Sequence, residues 1–339
     1  MVSRTQQEDV QEFARAFALA DELANASFLI TGSTGLIGSS LIRCLLALDK
    51  SIRVIAPVRN KGKVEAMYGD MLNRVEWLEC DLASCNYAQV GKVDYVIHCA
   101  APTSSKFFVD CPVETIRVIY EATASLLNYA QRQSVKGFVY LSSLEVYGSG
   151  LPDTKITEDM QGYWDVMSVR SSYPVAKRNV ENLCCAYAVE YGVPVKVARL
   201  TQTTGAGIAK DDNRVIAQFA KLAAKGEDII LHTTGESARP YCYTTDCISA
   251  LLYILLRGKN GEAYNVANED TYISARGIAE FLRDHFNPAI AVRVELNDNM
   301  GYAPVSKLDL STEKLRALGW QPRYDLKQLF ERLIAYLSE

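Results

Sequence analysis

The stretch "SFLITGSTGLIGSSLIRCLLAL", residues 27–48, constrains this chain most. An apolar run (28–31) meets a loop with glycines at 32, 35 and 38, and a helical pattern follows over 36–48. Glycines in such a loop permit a tight turn and let a pyrophosphate approach the main chain. The helix start then offers free N–H groups and the positive end of its dipole. A strand, a loop and a helix in that order are the context this motif requires. The candidate contacts are Gly32, Thr34, Gly35, Leu36, Ile37 and Gly38.

More apolar runs follow: "RVIAPV", "VEWLECD", "VDYVIHCAA", "GFVYLSS" and "VKVARLT". Helical patterns over 36–48, 112–131 and 174–191 separate most of them. This alternation predicts an α/β fold, a Rossmann-type doubly wound parallel sheet spanning 26–200. From "TTGAG" onward the segments shorten and turn residues increase. Residues 201–339 are read as a smaller, mainly substrate-binding C-terminal portion, with 237–268 returning to the sheet domain. Residues 6–24 place Val10, Phe13, Phe17 and Leu23 at helical spacing. Residues 1–25 are therefore expected to form an amphipathic helix, packed on the main domain or on another subunit.

Composition narrows the function. With 339 residues, 49% of them hydrophobic, the chain can build one large domain or two intimate ones. The net charge is −4 and neither half is strongly basic, which argues against a nucleic-acid partner. No apolar run has membrane-span length and the N-terminus lacks a secretory pattern, so a cytoplasmic protein with no membrane partner is expected. Nine cysteines without a C-x-x-C pair read as mostly buried free thiols in a reducing compartment. His98, His232 and His285 do not cluster, so no metal is expected.

Two further segments carry chemistry. In "LSSLEVYG" (141–148), Ser143 and Glu145 would point the same way from a strand, with Leu144 opposite. In "SSYPVAKRNVEN" (171–182), Tyr173 and Lys177 lie four apart and share a helix face. An ammonium near a phenol favours the phenolate and lowers its pKa from about 10. Such a tyrosine can exchange a proton with a sugar hydroxyl while hydride passes to nicotinamide. Pro174 places Tyr173 near the start of its helix.

The G-x-x-G-x-x-G spacing, with Y-x-x-x-K 30 residues after Ser143, resembles the short-chain dehydrogenase/reductase superfamily. Length and the later motifs are similar to its extended branch, the NAD-dependent epimerase/dehydratase family. The motifs come nearest to UDP-glucuronate decarboxylases and related nucleotide-sugar enzymes. The resemblance runs over about 27–285 and ends near "AYNVANEDTYIS" (263–274). It implies catalytic roles for Ser143, Tyr173, Lys177 and Glu145, with Tyr173 and Lys177 also touching the cofactor. Asp81 and Leu82 in "CDL" would edge the adenine. Ala100 and Ala101 in "HCAAP" would let the cofactor lie close. Thr103, Gln202, Arg214, Val215 and Arg239 would join Ser143 and Glu145 on the substrate. Arg239 would clamp a diphosphate, and Asp246 would cap the following helix.

After the second strand, where an acid usually holds the ribose, the chain has Arg59, followed by Lys61 and Lys63. An arginine there can pair with a 2′-phosphate, so NADP(H) is favoured, with NAD and a stacking role for Arg59 as the alternative. Three positions depart from the family pattern: Ile119 and Gln202 stand where asparagines are usual, and Ala206 where a proline is. Leu144 occupies the place where sugar 4,6-dehydratases carry an aspartic acid.

The resemblance therefore implies an NAD(P)-dependent enzyme acting on a nucleotide-activated sugar through a keto intermediate. It would be of epimerase or decarboxylase type, since a leucine cannot protonate a leaving group. One alternative is an NADPH-dependent reductase of a nucleotide-linked keto sugar or ketose, for example a CDP-linked one. Another is a non-catalytic dinucleotide-binding regulator, against which Ser143, Tyr173 and Lys177 argue. The family's four-helix dimer would use helices 112–131 and 174–191, although core packing explains their apolar content equally well.

Overall fold

The apolar runs become strands, and the glycine loop falls where the strand order reverses. The computed structural model describes residues 2–297 and 305–339. The strands are β1 (Ser27–Thr31), β2 (Arg53–Val58), β3 (Val75–Glu79), β4 (Tyr95–His98), β5 (Gly137–Ser143) and β6 (Val195–Leu200). They are followed by β7 (Gln202–Thr204), β8 (Ile229–Leu231), β9 (Ala238–Tyr243), β10 (Ala263–Val266), β11 (Asn268–Ser274) and β12 (Val292–Val294). The helices are α1 (Arg4–Ala16), α2 (Leu36–Leu48), α3 (Lys61–Tyr68), α4 (Ser105–Asp110), α5 (Pro112–Gln133) and α6 (Ser172–Tyr191). Then come α7 (Val215–Lys225), α8 (Thr244–Arg257), α9 (Ala275–His285), α10 (Glu313–Arg316) and α11 (Leu326–Ser338).

Seven strands form one parallel sheet in the order β10-β6-β5-β4-β1-β2-β3. Its central strands are buried on both faces, which is why they read as continuous apolar runs and not as alternating ones. Phe28, Ile30, Leu41 and Leu251 pack one face under α2 and α8. Leu126, Leu127, Phe138 and Val180 pack the other under α5 and α6. Each such side chain contributes about 1.5–3 kcal/mol when fully buried. Wound this way, the sheet opens a crevice at the carboxyl ends of β1 and β4.

The C-terminal portion builds small sheets, β11-β9-β7 and β12-β8, over a core of α7, α9 and α11. The chain returns to the large sheet through α8, which packs on β5 and β6, and through β10 beside β6.

The N-terminal helix is shorter than 6–24. Ser3 and Gln6 close a capping box on α1, and Phe17 leaves the helix in extended backbone. A tight turn over Ala20–Leu23 follows. In a continuous helix Leu23 would sit about 240° around from Phe17. The break lets Phe13, Phe17 and Leu23 all be buried. α1 packs on this chain's own α2, α8 and α11.

The cysteine reading needs one correction. Cys44, Cys184, Cys242 and Cys247 are free and buried, but Cys185 is exposed and Cys80 is joined to Cys85 by a disulfide. The turn after β3 brings their Cα atoms to 5.4 Å, which spacing in sequence did not reveal. Among the described residues no group of His, Cys, Asp and Glu could hold a metal ion. Among the described residues no helix is long and apolar enough to cross a membrane.

Candidate active site

The glycine loop joins β1 to α2. Gly32 has φ +70°, and a Cβ there would lie 2.8 Å from the amide nitrogen of Ala100. A Cβ on Gly38 would lie 2.3 Å from the carbonyl of Gly32. Those two glycines are required by close packing inside the protein. Gly35 is different. It is exposed, and a Cβ there would meet only the Gly32 oxygen, at an ordinary 3.4 Å. The open space lies at the start of α2, beside Leu36, Ile37 and Thr34, where unpaired helix amides emerge. Half-buried Ala100 and Ala101 present no bulk nearby. The loop fits a dinucleotide pyrophosphate on these grounds.

Two loops, after β2 and after β3, hold the residues that the resemblance puts beside the adenosine. Arg59 follows β2, is exposed and has no ion pair among the described residues. Asn60 caps α3, and Lys61 lies 3.8 Å from Glu79. Asp81 follows β3, is exposed, and accepts from the amide of Ala83 at 3.0 Å. Half-buried Leu82 is fixed through its carbonyl by the Tyr87 hydroxyl at 3.2 Å. His98 lies behind the loop between Thr31 (2.6 Å) and Thr123 (3.1 Å), and burial pushes its pKa down to about 3. It is a neutral, structural histidine.

Ser143 ends β5, and Leu144–Tyr147 turn tightly away. The expected strand geometry, with Ser143 and Glu145 on one face, does not form. The Ser143 hydroxyl caps the turn, accepting from the amide of Glu145 at 3.2 Å. The Glu145 carboxylate instead meets the Arg170 guanidinium at 3.0 Å. Leu144 is buried.

Tyr173 is the second residue of α6 and Pro174 the third, both in the first turn. The Tyr173 ring lies flat on Phe108, 4.2 Å between centroids and 9° between planes. The Ser143 hydroxyl lies near enough to its phenol to favour the charged form. Lys177 is one turn further on and 2% exposed. Its ammonium donates to the carbonyl of Leu141 at 2.7 Å and stands 5.8 Å from the Tyr173 ring centroid. Burial pushes Lys177 down to about 7. The sequence led us to expect a lowered phenol, and the protein by itself does the opposite. Burial raises Tyr173, the Glu145 charge adds to it, and Ser143 and Arg170 oppose it. The desolvation cost of a phenolate outweighs its polar neighbours.

The remaining candidates lie on other elements of the chain. Thr103 is exposed in the loop after β4. Half-buried Gln202 opens β7, while Arg239 lies on β9, half-buried and without an ion pair among the described residues. Arg214 precedes α7 and is already paired with Asp212 at 2.6 Å; Val215 begins that helix. Asp246 does not cap α8. Tyr243 holds that position, and the buried Asp246 carboxylate accepts the main-chain amides of Arg323 (3.0 Å) and Tyr324 (3.1 Å). Burial raises it to about 7. Ile119 is buried in α5.

Sequence reasoning missed two residues at the centre. Arg170 lies three positions before Tyr173, and that spacing could have flagged it. Its guanidinium also lies 5.4 Å from the Phe108 centroid. Phe108, in "SKFFVD", carries no local signal at all.

The profile of the NAD dependent epimerase/dehydratase family matches residues 28–267. UDP-glucuronic acid decarboxylase 5 of Arabidopsis thaliana is 28% identical over 311 residues, covering 90% of this chain and 87% of that protein. UDP-glucuronic acid decarboxylase 1 of Xenopus tropicalis is 26% identical over 344 residues, covering 98% and 78%. Among solved structures, UDP-glucose 4-epimerase of Thermotoga maritima superposes with TM-score 0.80 at 22% identity, covering 92% of this chain and 98% of that one. UDP-N-acetylglucosamine 4-epimerase of Methanobrevibacter ruminantium gives TM-score 0.81 at 20% identity, covering 93% and 99%.

Proposed function

Because the chain belongs to the NAD-dependent epimerase/dehydratase family, we propose that it converts a nucleotide-linked sugar through a keto intermediate, by decarboxylation or epimerisation. The observation that carries this reading is the meeting of Ser143, Tyr173 and Lys177 at the carboxyl edge of β5, beside the crevice that the glycine loop opens. The similarity to UDP-glucuronic acid decarboxylases favours decarboxylation and a UDP-linked uronate.

Bound NAD(P)+ supplies the hydride acceptor. Tyr173 takes the proton from the sugar hydroxyl, and Ser143 holds the same oxygen in place. Lys177, held down to about 7, can pass a proton near neutral pH. Oxidation two carbons from a carboxylate gives a β-keto acid, which loses carbon dioxide readily. Glu145, fixed by Arg170, faces this second step as an orienting group. Buried Leu144 supplies no acid for water loss, so 4,6-dehydration is not the outcome.

Arg59, exposed and followed by two lysines, favours NADP over NAD. The same feature motivates the second reading, a one-way reductase drawing on NADPH. We take the working unit to be a homodimer through α5 and α6. Val113 (63% exposed), Ile116 and Tyr120 share a face of α5, and Val189 (82% exposed) is bare on α6.

Mass spectrometry of products from UDP-, CDP-, GDP- and dTDP-linked sugars, with both cofactors present, tests the proposal. Loss of carbon dioxide, or an isomer of unchanged mass, is expected. A product heavier by two hydrogens, with matching NADPH loss, would replace it with the reductase.

A further inference from the structure

One buried tyrosine on the far side of the glycine loop has no part in the chemistry above. Tyr68 ends α3, the helix that begins just after Arg59. It is 1% exposed, and its hydroxyl donates to the carbonyl of Ser33 at 2.6 Å. Ser33 lies inside the glycine loop, between Gly32 and Gly35.

The ring is braced from two sides. Trp77 meets it edge to face at 4.8 Å, and the Trp77 indole N–H donates to the carbonyl of Leu72 at 2.9 Å. The Arg43 guanidinium lies 5.0 Å from the ring centroid and donates to the carbonyl of Met67 at 2.6 Å. Burial pushes the Tyr68 phenol well up, so it stays a donor at every working pH.

The consequence follows from peptide geometry. The Ser33 carbonyl and the Thr34 N–H belong to one planar trans unit and point in opposite directions. Tyr68 holds the carbonyl toward the core. The Thr34 amide must then face outward, on the side where Gly35 leaves open space. Rotation of this peptide needs changes only in ψ of Ser33 and φ of Thr34, and the turn closed by the Gly35 amide on the Gly32 carbonyl at 2.9 Å can keep that bond in either orientation. A flipped unit would present a carbonyl oxygen to the phosphates.

We propose that Tyr68 is a positioning residue for the dinucleotide, locking the Ser33–Thr34 peptide so that its amide faces the pyrophosphate. This rests on the reading that a dinucleotide occupies the glycine loop. It distinguishes Tyr68 from Arg59. Tyr68 acts on NAD and NADP alike, through the part they share.

Fluorescence titration with NADH and NADPH tests it on the wild type, Tyr68→Phe and Tyr129→Phe. Tyr129 is the matched control: its buried hydroxyl donates to the carbonyl of Gly91 at 2.7 Å, at the amino end of β4 and away from the crevice. Both variants leave a carbonyl without its donor and should lower the melting temperature similarly. Tyr68→Phe should weaken both cofactors about tenfold, and Tyr129→Phe should leave both within about twofold. Equal affinities for wild type and Tyr68→Phe, or equal losses in the two variants, would overturn the proposal. If Tyr68→Phe does not fold, Trp77→Phe carries the test. It loosens the brace and keeps the hydroxyl, with a loss of about threefold expected and an unchanged affinity contradicting it. A wild type that binds neither dinucleotide sinks the cofactor reading together with this one. Binding untouched by Tyr68→Phe sinks this one alone.

Discussion

The two sides of the crevice are built from different material. On the cofactor side the main chain forms the site: Gly32, Gly35 and Gly38 shape it, and the start of α2 lines it. On the sugar side the candidates are side chains from separate elements, among them β5, α6, β7 and β9. Two of the candidates already have partners, Arg214 in Asp212 and Glu145 in Arg170. A site made of backbone tolerates few sequences. A site made of paired, half-exposed side chains can be retuned one residue at a time, which is how one fold serves many sugars.

The sharpest way to break this contrast is to cut the chemistry without touching the cradle. Tyr173→Phe should reduce kcat about a thousandfold while NAD(P)H affinity stays within about twofold. Comparable loss of both would mean that Tyr173 belongs to the cradle and not to the reaction.

Charge burial gives a smaller effect, one that differs between a fully buried lysine and a half-exposed ion pair. Lys177 is held down to about 7 from 10.5. Between those values the unfolded chain holds the extra proton, so stability should rise with pH through that window. Lys177→Met should remove the slope and stabilise the protein by about 1–4 kcal/mol at neutral pH. Arg170→Met, at a half-exposed pair, should change stability by less than about 1 kcal/mol. Melting curves from neutral to alkaline pH measure both. A slope that survives Lys177→Met would show that the lysine is not the strained group.

The same contrast explains what could be read from sequence. The sheet, the long helices and the glycine loop were legible because local patterns determine them. β2 and β5 begin and end where their apolar runs do. Tyr173 and Lys177 were legible because four residues on a helix fix their relation. The Glu145–Arg170 pair and the Phe108–Tyr173 stack depend on chain reversals after β5 and β4, and no short window contains them. The phenol's raised pKa was invisible for a related reason. Burial depends on everything packed around the group, while the neighbouring lysine was all that the sequence displayed. Asp246 looked like a helix cap because its partners, the amides of Arg323 and Tyr324, come from far along the chain.

The central claim is a reaction that borrows a hydride and returns it. The most direct measurement is the reduced-nicotinamide absorbance during a single turnover of the NAD(P)-loaded protein with a UDP-linked uronate. The account requires a transient rise that decays as product forms, with no net change in cofactor. Steady one-way consumption of NADPH with a keto sugar, and no such transient with the uronate, would contradict it.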